Sequence, residues 1–134
     1  MIVRRSIALI AAATAVVGCQ RPEVREQRSG AQLFANHCAA CHGAVGEGNG
    51  PVAAIMNTNV PNLRTLAQRN NDQFPADAVR AYIDGRTLPA SHGDRQMPVW
   101  GDVFGWGGAT EQYSEALAQQ RIDAIVEHLR TIQF

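Results

Sequence analysis

The chain contains no lysine: all twelve of its basic residues are arginine, and twelve acidic residues balance them to a formal net charge of zero. A genome-wide coding bias accounts for arginine's monopoly more simply than any chemistry does. The charge balance excludes the broad basic face that nucleic acid or acidic lipid would require. Long apolar runs are missing too. Ile7 to Val17, broken only by Thr14, falls well short of the roughly 20 residues that span a bilayer. No stretch alternates convincingly as a strand, and no internal repeat appears, so 134 residues amount to one domain. Cysteine is scarce, with three in all. Two of them lie close together, but no second pair accompanies them, and His37, His92 and His128 are scattered. A four-ligand structural zinc site therefore has no donors to complete it.

The remaining composition is that of an ordinary globular chain, 46% apolar and 18% charged. Its first eighteen residues are read as an export address. Arg4 and Arg5 start it, the short apolar run forms its core, and Val16-Val17-Gly18-Cys19 ends it. That last stretch resembles the lipobox of bacterial lipoproteins, which implies cleavage before Cys19 and acylation of its thiol. The twin-arginine pair is poorly matched by its neighbours, so the Sec route is expected. Removing Arg4 and Arg5 leaves ten arginines against twelve acids, a charge of −2. Residues 19–29 then read as a lipidated cysteine with a polar tether, and 30–134 as the folded domain. Ten tether residues reach at most about 35 Å, which holds that domain beside the membrane.

Within the domain the clear patterns are helical. Ala31, Leu33, Phe34 and His37 lead into the cysteines without a turn signal. Pro75 suits a first helical position, Val79, Tyr82 and Ile83 keep helical spacing, and Gly85 supplies a left-handed stop. Ile122, Ile125, Val126, Leu129 and Ile132 form an apolar stripe at steps of three and four. Passages such as "GAVGEGNGP" and "VFGWGGA" read as loops. Three helices joined by long loops cannot close a core alone, so a further group is expected at the centre.

The sequence "CAACHG", residues 38–43, indicates what that group is. A thioredoxin-type dithiol needs a strand–turn–helix setting that this chain lacks. Cys-x-x-Cys-His is the attachment signature of c-type haem. On a helical turn, residues three apart share a face, so Cys38 and Cys41 can bond two vinyl groups of one porphyrin. His42 then follows at once as an iron ligand.

From about residue 29 to 133 the chain resembles class I monohaem cytochromes c. Gly30 and Phe34 stand where that family places a glycine and an aromatic against the last helix. Ile125, His128 and Leu129 stand for the leucine, aromatic and leucine they meet, with His128 a departure from the pattern. The resemblance implies an all-α fold of three main helices and long loops around one covalent haem c. It further implies that the carbonyl of Pro61, in Pro61-Asn62-Leu63, accepts the Nδ1 proton of His42. The segment between residues 44 and 60 is longer than in short relatives of the family.

Candidates for the sixth iron ligand are Met56, Met97, His37, His92 and His128. "RQMPVWG" around Met97, 55 positions after His42, resembles the methionine loop of small bacterial cytochromes c. Pro98 keeps Met97 extended. Met56 reads as an apolar filler of a short helix, His37 is expected to point away, and His92 is the rival. Trp100, Phe104 and Trp106 are expected to wall the haem edge. Arg86 and Arg95 are expected near the propionates, with Tyr82 packing close by.

An iron with both axial positions filled exchanges electrons rather than binding substrate. The expected function is a monohaem electron carrier, anchored at the periplasmic face of a bacterial membrane. It would be monomeric, would bind no nucleic acid, and would serve a membrane respiratory complex or a periplasmic dehydrogenase. A peroxidase-like haem enzyme and a gas-binding sensor module are the alternatives. Against them, no catalytic base other than His92 lies near Met97, and no signalling domain follows.

Overall fold

The computed structural model describes residues 29–87 and 95–134. The expected signal segment, Cys19 and the rival ligand candidate His92 all lie outside the described residues. Among the described residues every regular element is helical: α1 (Gly30–His37), α2 (Ala39–His42), α3 (Ala76–Asp84), α4 (Trp100–Gly105) and α5 (Glu111–Thr131). Three short 3-10 turns, Ala53–Ile55, Leu63–Thr65 and Gln68–Asn70, punctuate the segment between α2 and α3. Among the described residues the fold is all-α, as expected.

Local chemistry sets where these helices begin and end. Ser29 accepts from the backbone N–H of Gln32, and Gln32 Oε1 accepts from the backbone N–H of Ser29, a reciprocal capping box that starts α1. Ser29, the last residue of the expected tether, is thus the N-cap of α1. Pro75 stands one place earlier than expected, as the residue preceding α3, and its carbonyl accepts from Val79. Gly85 closes α3 at φ 74°, a left-handed conformation that costs glycine little. Thr110 caps α5 by accepting from Tyr113.

Packing centres on α5, which meets α1, α3 and α4. Its predicted stripe is the core face: Ile122, Ile125, Val126 and Leu129 are buried and Ile132 is partly so, with Ala118 buried one turn earlier. Leu33 and Phe34 of α1, Ile83 of α3 and Phe104 of α4 complete the core, together with Cys38. The α1–α5 crossing is close. A Cβ on Gly30 would lie 1.8 Å from the carbonyl oxygen of Ala124, so only glycine allows this approach. One turn on, Phe34 meets the ring of His128 with centroids 5.3 Å apart.

The passage "VFGWGGA" is a loop only in part, since Val103, Phe104 and Gly105 belong to α4. Glycine's poor helix propensity is outweighed here by tertiary contacts. Phe104 is buried, and its carbonyl accepts from Arg121 Nη1 of α5 at 2.8 Å. Met56 sits just after the 3-10 turn Ala53–Ile55.

Candidate functional site

The two cysteines of the central motif fall on one turn. At Cys38 the chain ends α1 and begins α2, and its carbonyl accepts from Cys41 at 3.2 Å and from His42 at 2.9 Å. Cys38 is buried among the core side chains, while Cys41 and His42 are half-buried. Burial, with the neighbouring Cys41 as the lesser cause, pushes the Cys38 thiol up to about 12. In the folded chain that thiol is therefore protonated at neutral pH, and poorly nucleophilic.

His42 is held by a contact nineteen residues away. Its Nδ1 lies 3.4 Å from the carbonyl oxygen of Pro61. A carbonyl only accepts, so the proton sits on Nδ1 and Nε2 carries the free lone pair. Burial lowers the imidazole's pKa, and the Pro61 contact, which would raise it, is the smaller effect. The ring is thus neutral near pH 7, the form that can bind iron. Glycines and a chain reversal bring Pro61 there. The backbone N–H of Gly48 donates to the His42 carbonyl, and that of Leu63 to the Gly46 carbonyl.

Met97 is half-buried and packs against the apolar core, as does Trp100. Trp100 stacks on Phe104 with centroids 5.1 Å apart, and the ring of His37 meets both edge-on. His37 is thus set among aromatics on α4. Trp106, expected beside them, is 86% exposed beyond the end of α4. The helix turns it away from the two aromatics it was expected to join.

The two arginines part company. Arg86 donates to both carboxylate oxygens of Asp84, from Nε at 2.7 Å and Nη2 at 2.6 Å, and to Glu115 from Nη1 at 2.6 Å. Gln119 adds a donor to Asp84 at 3.0 Å. The arginine expected at a propionate is committed instead to tying α3 to α5, because a nearly buried carboxylate needs its charge matched locally. Asp84 is accordingly held below the usual carboxylate range, chiefly by Arg86. Arg95, by contrast, keeps its Nε shielded from solvent without a hydrogen-bond partner. Sequence reasoning missed the Asp84–Glu115 clasp, since nothing local links α3 to a residue 29 positions beyond Arg86.

Among the described residues no group of three or more His, Cys, Asp or Glu side chains could hold a metal ion by itself. The donor set instead fits a metallated porphyrin: two thiols and an imidazole on one turn, a thioether packed on the core, and a shielded guanidinium Nε–H, that of Arg95, with no acceptor among the described residues. A family model described as Cytochrome c matches residues 27–133. No curated protein and no solved structure matches the chain.

Proposed function

The chain belongs to the cytochrome c family, and from that premise we propose that it is a class I, lipid-anchored, His/Met-ligated electron carrier. Membership in the family brings one covalently bound haem c and haem-based electron transfer. When bound, the haem supplies an iron that alternates between ferrous and ferric states. The observation that carries the reading is the turn Cys38–His42, with its imidazole fixed 3.4 Å from the Pro61 carbonyl.

Each residue then has a defined task. Cys38, buried, and Cys41, half-buried, would hold the porphyrin through thioethers. His42 offers Nε2 to the iron, and Pro61 fixes the tautomer and strengthens the donor. Met97 would bring its thioether to the iron, a donor that favours the ferrous state. Trp100 forms part of the apolar surroundings. Arg95, whose Nε has no hydrogen-bond partner among the described residues, is the cation suited to a haem carboxylate, while Arg86 is already paired with Asp84 and Glu115. An iron held by both His42 and Met97 would have no open position for substrate and would exchange electrons instead.

Acylated Cys19 and the polar tether place this domain at the periplasmic face of a bacterial membrane. There the tether raises its effective concentration near membrane-bound redox partners. With no lysine and a charge near −2 after cleavage, docking rests on apolar contact and depends weakly on salt.

Protein matured with a haem-attachment system should retain its haem through acid–acetone extraction. It should also show a reversible one-electron couple with negligible hydrogen peroxide turnover. Haem that washes out, or brisk peroxide turnover by the intact protein, would overturn the reading. For the anchor, Cys19→Ala should yield soluble protein whose exchange with soluble mediators is unchanged.

A further inference from the structure

The side chain of Arg95 bonds the segment bearing Met97 to α3. Arg95 Nη2 donates to the carbonyl of Pro98 at 3.1 Å and also to the carbonyl of Tyr82 in the last turn of α3. The first bond closes a short loop with Met97 inside it. The second ties that loop to a helix end, where the final carbonyls have no partner within the helix and attract a cation. The guanidinium carbon also lies 5.2 Å from the Tyr82 ring centroid. Gly85 makes room for this arrangement: a Cβ there would lie 2.7 Å from Arg95 Cζ and 2.8 Å from Nη2.

From this geometry we infer that Arg95 is the positioning residue for Met97, clamping the ligand loop to the C-terminal end of α3 and so holding the thioether in place. The inference rests on Met97 being the axial ligand. The Arg86 clasp lies on the same end of α3, but its bonds run to Asp84 and Glu115 and not to the Met97 segment. Loosening it should weaken the fold without freeing the ligand. Two arginines two residues apart from α3's end and from Met97 respectively thus have separable effects.

The test uses the haem-loaded protein and its Arg95→Ala, Arg95→Lys and Arg86→Gln variants. The readouts are the weak near-infrared band of sulfur-ligated ferric haem, the cyanide association rate, and circular dichroism to monitor folding. Arg95→Ala should stay folded, show a weakened band, and bind cyanide about tenfold faster, the scale of one lost charge-assisted hydrogen bond. Lysine keeps the charge but lacks the planar fork that spans two carbonyls, so Arg95→Lys should restore only part of the effect. Arg86→Gln should lower thermal stability and leave band and cyanide rate as in wild type. A folded Arg95→Ala with unchanged band and cyanide rate would overturn the inference, as would an Arg86→Gln that frees the iron equally. A wild-type protein without the band would instead refute Met97 ligation itself.

Discussion

Replacing Gly30 with alanine probes the helix crossing on which the fold rests. The added methyl would sit 1.8 Å from the Ala124 carbonyl oxygen, 2.6 Å from its carbon and 3.0 Å from His128 Cβ. The first two are backbone atoms in the middle of α5, so no rotamer change relieves the contact. The helices must part by more than about 1 Å to restore ordinary van der Waals separation, and gaps of that size forfeit a quarter to a half of each contact's attraction. Leu33, Phe34, Ile125 and Leu129, each at most 2% exposed, share that loss. Overpacking of this kind costs about 3 kcal/mol at the upper end of its usual range. Alanine's better helix propensity returns less than about 1 kcal/mol. A net loss of about 2 kcal/mol should lower the melting temperature by roughly 8 °C in a domain of this size. Denaturant titration and thermal melts of the haem-loaded protein measure both quantities. Wild-type stability in Gly30→Ala would show that α1 does not approach α5 as described.

Two further predictions concern charge. Arg86 lowers the folded pKa of Asp84, so its stabilisation is present above the unfolded carboxylate pKa of about 3.9 and is lost as pH falls through the folded value. Asp84→Asn should therefore be less stable than wild type by about 2 kcal/mol at pH 6, with the gap narrowing toward pH 2 in urea titrations. His128 has its pKa lowered by burial, so the folded protein binds its proton less readily than the unfolded chain does. That stability is complete above the unfolded value of about 6.5 and declines as pH falls below it. His128→Phe should thus gain more stability at pH 5 than at pH 7.5, measured by the same titrations.

The most legible parts of the molecule were those fixed by local pattern. The stripe from Ile122 to Leu129 needs only helical periodicity, and Cys38, Cys41 and His42 form one contiguous turn. Gly85 stops α3 for a reason intrinsic to glycine. The parts that escaped depend on partners distant in the chain. The segment around Phe104 becomes helical because α5 covers it and Arg121 binds its carbonyl, neither of which leaves a local mark. Arg86 looked available for a haem carboxylate because Glu115 is remote in sequence, and Trp106 looked like core because its composition alone does not reveal which way α4 turns. The resemblance that named Gly30, Phe34 and Pro61 carried more than periodicity could, since each acts through a contact across the fold.

The central claim is that His42 and Met97 close the iron of a covalently attached haem. It is tested most directly by the near-infrared spectrum of the oxidised protein beside those of Met97→Ala and His92→Ala. Wild type and His92→Ala should both show a weak sulfur-to-iron band. In Met97→Ala the band should be absent, with a lowered potential and an iron open to carbon monoxide once reduced. A band absent from wild type, or one abolished by His92→Ala and retained in Met97→Ala, would contradict it.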